Sequence, residues 1–246
     1  MTLFADSGAA TVTGHRHPVV KVVLTLGGGW VTARVPGRPP LRAPGLLVPH
    51  QVPHECETPS PYVALFLEPW AVREVAGPLP LDAPTVARLL SASGITSLDS
   101  VDGPVDLDSV RLEVERLVGR GRGVDPRVAL VLSRLAEPGD LDARAVEVGL
   151  SGPRLRALAR EELGVPLARL RLWARLRAAV ADLADHRVAR AAADAGFADQ
   201  AHLTRTARSL LGRTPSSLCP SSGHRSLRRS PVSPEPSGRR AGTGVV

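Results

Sequence analysis

A short stretch in the last quarter of the chain carries side chains with the chemistry needed to read nucleic acid. Gln200, Thr204, Arg205 and Arg208 offer amide, hydroxyl and guanidinium groups, which can hydrogen-bond base edges and phosphate oxygens. Apolar residues between and after them recur at the spacing of an amphipathic helix. The stretch therefore predicts a helix with one buried face and one polar face that could contact a polyanion.

Glycine turns and a capping residue are expected to position this helix. Gly196 can adopt the positive φ that ends a preceding Ala-rich helix at 187–197, and Asp199 can cap the helix that follows. The buried face of the second helix is predicted to comprise Leu203, Ala207, Leu210 and Leu211. Two short helices joined in this way predict a helix-turn-helix unit, and the alternative is an ordinary helical hairpin with a solvated face.

A second copy of the pattern lies upstream at 149–164, GLSGPRLRALAREELG. It again has a glycine turn and a capping serine, and Leu155 precedes Gly164 by nine residues, as Leu203 precedes Gly212. With this duplication the chain resembles the AraC/XylS family of bacterial transcription regulators. The segment GFADQAHLTR and the closing GRTP carry most of the resemblance, which covers about residues 125–218.

The resemblance implies that outward positions at the start of each recognition helix reach DNA bases. In the second unit these are Gln200, Ala201, Thr204 and Arg205, and in the first they are Pro153, Arg156 and Ala157. Positions off the leading face are expected at phosphates, namely Arg154, Arg160 and Arg208. For each arginine, the alternative is a solvated side chain paired with a nearby carboxylate.

The chain departs from the family pattern inside each recognition helix, where Ala159 and Ala207 stand in place of the usual phenylalanine. Losing a large aromatic side chain from a core costs about 3–5 kcal/mol unless neighbours fill the space. The candidates to fill it are Leu158, Trp173, Leu210 and Leu211. In the first unit Leu167 also occupies the position of the family's proline. This unit therefore departs further from the pattern of a unit that contacts DNA bases.

Short apolar runs separated by Gly and Pro predict strands in the first third of the chain. The runs lie at 19–26, 30–35, 46–49 and 62–69. With HRHP at 15–18 and PGLLVPHQVPH at 44–54, the region resembles the cupin barrel that precedes the DNA-binding domain of many such regulators.

In metal-binding cupins, an HxH motif, a carboxylate and a later histidine supply the ligands. His15, His17 and His54 match the histidine positions, but Lys21 stands where the resemblance implies a glutamate. A cation disfavours a metal and favours an anion or a carbonyl group. We therefore expect these four residues to bind a small-molecule effector, with no metal and no cofactor. The alternatives are a metal site, and structural histidines in a barrel that binds nothing.

Charge is unevenly distributed along the 246 residues. The whole chain has a net charge of +7, with −2 over 1–121, +5 over 122–218 and +4 over 219–246. Only the basic carboxyl-terminal part of the chain, from residue 122 onward, is therefore expected to bind double-stranded DNA. Cys56 and Cys219 lack CxxC spacing and predict neither a zinc module nor a disulfide framework. No signal peptide or membrane span is evident, so a cytoplasmic protein with no membrane partner is expected.

These patterns predict a multidomain α and β chain. Residues 1–80 form a small cupin-like β-barrel and 81–121 a helical linker, with helices at 83–93 and 109–118 and a possible dimer seam. Residues 122–218 form an all-α domain with two helix-turn-helix units, joined by a connector helix at 165–185, and residues 219–246 form a disordered basic tail.

The expected function is sequence-specific transcriptional regulation under control of a small molecule. RNA polymerase and a second copy of the chain are further candidate partners. The first alternative is a metal-dependent cupin enzyme, which the paired helix-turn-helix units and the missing carboxylate disfavour, so no enzymatic activity is expected. The second alternative is a regulator that keeps the fold but binds protein instead of DNA.

Overall fold

The computed structural model describes residues 1–6, 8–97, 105–137, 139–183, 186–218 and 224–229. The strands in chain order are β1 (Thr2–Asp6), β2 (Ala10–His15), β3 (Val20–Thr25), β4 (Val31–Arg34), β5 (Leu41–Ala43), β6 (Gly45–Val48), β7 (His54–Thr58), β8 (Tyr62–Leu67), β9 (Leu79–Leu81) and β10 (His224–Arg229). The four apolar runs found in the sequence are confirmed as β3, β4, β6 and β8.

The strands form two antiparallel sheets. The larger has the order β10-β1-β8-β3-β6-β9 and the smaller has the order β2-β7-β4-β5. Their inner faces share one hydrophobic core, to which Val12 and Cys56 contribute from the smaller sheet and Val23 and Ala64 from the larger. The cupin-like barrel predicted from the sequence is thus observed as a pair of packed sheets.

The outer face of the larger sheet is covered by two helices, α1 (Ala83–Ser93) and α2 (Leu107–Val118). Strands β3 and β8 are consequently buried along their whole length, which explains their continuous apolar sequences. Asp106 caps α2 by accepting from the Ser109 amide at 2.9 Å, so the helix begins two residues before the predicted start. Val110 and Val114 are fully buried against the sheet. This stripe therefore packs within the chain.

The segment 224–229 differs from the predicted disordered tail. It forms β10, which pairs antiparallel with β1 through Thr2↔Arg229 and Asp6↔His224. The edge of β1 opposite β8 has backbone donors and acceptors that another strand can satisfy, and β10 takes that position. The remainder of the predicted tail lies outside the described residues.

The helical domain follows with α3 (Pro126–Ser133), α4 (Leu141–Glu147), α5 (Gly152–Leu163), α6 (Leu167–Asp182), α7 (Val188–Asp194), α8 (Gln200–Leu211) and a 3-10 turn at Pro215–Leu218. Asp125 caps α3 by accepting from the Arg127 amide, as predicted. The connector helix is confirmed as α6, whose 16 residues span about 24 Å at ~1.5 Å per residue. None of the described helices combines the length and apolar character needed to cross a membrane.

One hydrophobic core extends across both parts of the protein. Trp173 and Leu176 of α6 and Leu203 of α8 belong to the same buried cluster as the inner faces of the sheets. The Trp173 ring lies 5.0 Å from the Phe66 ring, measured between centroids. We call the two sheets with α1 and α2 the sheet domain, and α3 to α8 with the 3-10 turn the helical domain. The two domains are packed together by apolar contact.

Candidate nucleic-acid interface and effector site

The second helix-turn-helix unit has the predicted local geometry. Helix α7 ends before Gly196, which has a φ of 75°. The Asp199 carboxylate accepts from the His202 amide at 2.6 Å and so caps α8, which ends at Gly212 in the left-handed conformation. Leu203, Ala207 and Leu210 are buried on its inner face, and the half-buried Leu211 packs against the same core.

The predicted DNA-contacting side chains of α8 lie on its accessible side. Gln200, Ala201, Arg205 and Arg208 are exposed. Thr204 is half-buried, and its hydroxyl donates to the Gln200 carbonyl at 2.9 Å, so its donor is used within the helix. Their accessibility is compatible with DNA contact, which stays a prediction.

The first unit consists of α4 and α5. Ser151 caps α5 by accepting from the Arg154 amide at 3.4 Å, and Gly164 ends the helix with a φ of 64°. Five residues assigned to bases or phosphates are exposed, namely Pro153, Arg154, Arg156, Ala157 and Arg160. Arg156 donates to the Asp142 carboxylate at 2.7 Å, with both side chains about half exposed. Such a pair contributes little to stability, so phosphate or guanine could replace Asp142 as the partner.

Ala159 and Ala207, which stand where the AraC/XylS pattern has phenylalanine, are fully buried. Ala159 packs in a cluster that includes Leu158 and Leu155, while Ala207 shares its core with Trp173 and Leu210. Larger neighbours thus surround both positions. Both recognition helices keep an apolar inner face.

The sheet domain brings the three predicted histidines together. His15 ends β2 and pairs in register with His54 at the start of β7, while His17 lies in the turn before β3. The ring centroids are 4.3 Å apart for His15 and His54, 5.0 Å for His17 and His54, and 5.7 Å for His15 and His17. All three side chains are buried.

Each histidine is oriented by a backbone carbonyl two residues away. The Nδ1 atoms lie 2.8 Å from the Thr13 oxygen for His15, 2.6 Å from the Val19 oxygen for His17 and 2.9 Å from the Val52 oxygen for His54. Carbonyls only accept, so each Nδ1 carries the proton and each Nε2 bears a lone pair. Among the described residues, these three buried Nε2 atoms have no hydrogen-bond partner.

Burial and mutual charge keep these imidazoles neutral. Burial, together with the positive charge of Lys21, lowers the pKa of His15 to about 2 and that of His54 to about 4. The pKa of His17 lies well below its usual value, because the ring is buried and faces His54, Lys21 and His15. Lys21 is itself buried on β3. The structure thus brings together the four residues assigned to an effector, and their role as a metal-free effector site stays a prediction.

A narrow cavity between the domains adjoins this cluster. It has a volume of about 40 Å³, and its walls are mainly apolar. Three cationic side chains line it, Lys21 from the sheet domain and Arg177 and Arg213 from the helical domain. Apolar walls with a few charged groups are typical of small-molecule sites.

Two largely buried ion pairs join the domains beside the cavity. Arg213 donates to Asp6 at 2.8 Å and to the Tyr62 hydroxyl at 3.0 Å, and burial raises the pKa of Tyr62 above its usual value. Arg177 lies 3.4 Å from Glu68. Sequence reasoning missed these residues, although Arg213 falls within the GRTP motif that supported the family resemblance.

The two helices predicted to contact DNA, α5 and α8, end against the sheet domain. The Thr13 amide and hydroxyl both donate to the Gly212 carbonyl, at 3.3 and 3.0 Å, and the Arg16 amide donates to Ser209 at 3.3 Å. At the end of α5, a Cβ placed on Gly164 would lie 3.1 Å from Cε1 of His50 in the sheet domain. Burial lowers the pKa of His50. The sheet domain therefore contacts the carboxyl-terminal ends of both recognition helices.

Comparison with known proteins agrees with this architecture. A family model described as a helix-turn-helix domain matches residues 144–219. The structure of ToxT from Vibrio cholerae with bound unsaturated fatty acid is similar to the chain at a TM-score of 0.55 and 11% identity, covering 88% of this chain and 93% of that one. No curated protein matches the sequence.

Two further solved structures are similar to the chain. ToxT from Vibrio cholerae O395 bound to (E)-4-(8-methylnaphthalen-1-yl)but-3-enoic acid has a TM-score of 0.54 and 12% identity, covering 88% of this chain and 97% of that one. An AraC-type regulator from Chromobacterium violaceum has 26% identity and a TM-score of 0.34, covering 37% of this chain and 84% of that one. The chain thus combines a helix-turn-helix domain in its carboxyl-terminal part with a two-domain fold similar to that of ToxT.

Proposed function

We propose that the protein is a DNA-binding transcription regulator whose sheet domain senses a small molecule. The observation that carries this proposal is the contact between the sheet domain and the ends of both recognition helices. Because Thr13 bonds directly to Gly212, a rearrangement of the sheet domain changes the position of α8. Effector binding would then shift operator affinity by favouring one arrangement of the two domains.

The residues proposed to contact DNA are those on the accessible sides of α5 and α8. Gln200, Thr204, Arg205 and Arg156 are assigned to bases, Ala201 to a thymine methyl group, and Arg154, Arg160 and Arg208 to phosphates. The chemistry is binding and no catalytic residue is assigned. RNA polymerase and a second copy of the chain stay predicted partners.

The effector proposed for the interdomain cavity is an amphipathic anion. The two ToxT structures contain carboxylic acids with apolar bodies. In this chain the cavity offers the matching chemistry, apolar walls together with Lys21. A cis-unsaturated fatty acid is therefore the first probe to test by thermal shift, and Lys21→Met should abolish its stabilising effect. An equal shift in the variant would contradict the proposed role of Lys21.

The salt dependence of DNA binding tests the proposed interface. Each phosphate neutralised by an arginine releases counterions, so log K should fall with log salt by about 0.9 per phosphate contact. DNA fragments selected from the genome by the full chain supply the probe, and gel shifts at increasing salt give the slope. A flat response, or no binding, would favour the protein-binding alternative.

Arg205→Ala should weaken binding to the selected site by about 1–3 kcal/mol and relax sequence choice at one base pair. The reason is the exposed position of Arg205 on the leading face of α8. Competition gel shifts against single-base variants of the site measure both effects. Arg190→Ala is the matched control, because Arg190 is exposed on α7 and paired with Asp194. Equal loss in both variants would contradict the assignment of Arg205 to a base.

A further inference from the structure

We propose that His15, His17 and His54 bind one divalent transition-metal ion of the zinc class through Nε2, and that the bound ion acts on the end of the second recognition helix through Thr13. This proposal replaces the expectation, drawn from the charge of Lys21, that these histidines bind an effector without a metal, and it stands on the sheet domain alone. Its effect on DNA binding rests on the proposed function.

The donor set fits such an ion. A ring nitrogen of each histidine lies within 4.8 Å of the others. Imidazole suits zinc, copper, iron and nickel, and three protein ligands leave a fourth position for water or another ligand. The Nδ1 bonds to the carbonyls of Thr13, Val19 and Val52 are the outer contacts that usually fix the rings of metal-binding histidines.

The three Nε2 atoms otherwise lack an explanation. Buried polar atoms in folded proteins nearly always have a partner. Here three acceptor atoms without a hydrogen-bond partner among the described residues lie in one small cluster, and each already has its ring tautomer set by a carbonyl. Three packed structural histidines would leave all three lone pairs unused, whereas one cation satisfies them together.

A path to solvent leads to the cluster. An open cleft of about 600 Å³ is lined by His15 and His54, and also by Glu55 of β7 and Ser209 of α8. The carboxylate of Glu55 adds negative charge at its wall. An ion can therefore reach the histidines without unfolding the sheets, through a cleft that borders the recognition helix.

Lys21 limits the affinity of the site. Its positive charge acts on all three imidazoles and opposes a second cation. The site should therefore bind metal more weakly than one with a carboxylate at this position. The same charge favours an anionic fourth ligand, such as hydroxide or a carboxylate, between the ion and Lys21.

Metal binding would move the end of the recognition helix. Nitrogen ligands of a tetrahedral zinc ion lie about 3.3 Å apart, so the rings must draw together by at most ~1.5 Å. The Thr13 carbonyl accepts from His15, and the Thr13 amide and hydroxyl donate to Gly212. A Cβ placed on Gly212 would lie 2.9 Å from His15 Nδ1, which shows how closely the ring approaches α8. A shift of His15 is therefore passed directly to α8.

Calorimetric titration of the full, chelator-treated chain with Zn²⁺, and absorption spectroscopy with Co²⁺, test the site. We expect one equivalent of each metal and a Co²⁺ spectrum of four-coordinate type. His17→Gln and His54→Gln should each weaken Zn²⁺ binding at least a hundredfold, and His186→Gln, at an exposed histidine of the helical domain, should leave it unchanged.

Lys21→Met provides a test in the opposite direction, because removing its charge should tighten Zn²⁺ binding. Absence of binding by the unmodified chain, or equal affinity in His54→Gln, would overturn the proposed site. If a histidine variant fails to fold, the Zn²⁺ stoichiometry of the unmodified chain and the Zn²⁺ affinity of Lys21→Met still test the proposed metal site.

Coupling is measured as operator affinity with and without Zn²⁺. We expect a change of at least fivefold in the unmodified chain. Thr13→Val, at an exposed position, removes only the hydroxyl bond to Gly212 and should keep Zn²⁺ affinity while reducing that change. The coupling is refuted if Zn²⁺ changes operator affinity as much in Thr13→Val as in the unmodified chain, or if it does not change the operator affinity of the unmodified chain. If no DNA is bound under any condition, the proposed function fails, and the titrations alone decide the metal site.

Discussion

Replacing Arg213 by Met should lower the free energy of unfolding by about 3–5 kcal/mol, because it leaves a buried carboxylate without its guanidinium. Arg213 and Asp6 are 13% and 3% exposed, and their charged groups lie 2.8 Å apart. The same guanidinium also donates to the Tyr62 hydroxyl and to the Ser217 carbonyl, so two further acceptors lose a donor at once. Chemical denaturation followed by tryptophan fluorescence measures the loss.

Arg190→Met is the matched control for this prediction. Arg190 pairs with Asp194 on one helix at 2.6 Å, but the two side chains are 69% and 41% exposed. Solvent screens such a pair, so the change should cost less than about 0.5 kcal/mol. Similar losses in both variants would show that the interdomain pair contributes no more than a surface pair.

Local signals in the sequence predicted where α5 and α8 begin and end. Asp199 and Ser151 cap their helices, and Gly164 and Gly212 end them in the left-handed conformation. Each of these signals acts within one turn of backbone, so neighbouring residues suffice to read it. The helix predicted at 83–93 is observed with the same bounds for this reason.

Contacts between distant residues could not be read from the sequence. Asp6 and Arg213 are separated by 207 positions, and an aspartate at the end of a short apolar run gives no sign of its partner. Strand β1 was missed because its five residues become a strand only through pairing with β8. The stripe of α2 predicted packing, but its partner, the outer face of the larger sheet, required the fold.

The three histidines show the same limit of prediction from the sequence. The resemblance to metal-binding cupins implied that His15, His17 and His54 lie together, and the structure brings them together. It could not predict that all three Nδ1 atoms meet carbonyls, which leaves the three Nε2 atoms for a ligand. In the sequence, the positive charge of Lys21 was the one argument against a bound metal. In the structure, the Lys21 side chain also lines the neighbouring cavity.

Gly212→Ala should destabilise the protein more than Gly149→Ala does, although both variants replace a glycine at the end of a helix by alanine. Gly212 and Gly149 have φ angles of 66° and 70°, so each alanine suffers the same backbone strain of about 1–2 kcal/mol. At Gly149 a new Cβ would meet no atom within 4 Å. At Gly212 it would lie 2.4 Å from the Thr13 carbonyl oxygen, a distance that requires backbone to move.

The sheet domain must therefore withdraw from α8 in Gly212→Ala. Withdrawal breaks the two bonds from Thr13 to Gly212, each contributing about 1 kcal/mol, so the total loss of unfolding free energy should be about 3 kcal/mol or more. Thermal and chemical unfolding of both variants separates backbone strain from domain contact. Because the withdrawn domain no longer restrains α8, Gly212→Ala should also bind operator DNA with an affinity that effector or metal changes little, whereas Gly149→Ala should keep the full response. Equal stability and equal response in the two variants would show that the contact at Gly212 neither holds the domains together nor transmits a signal.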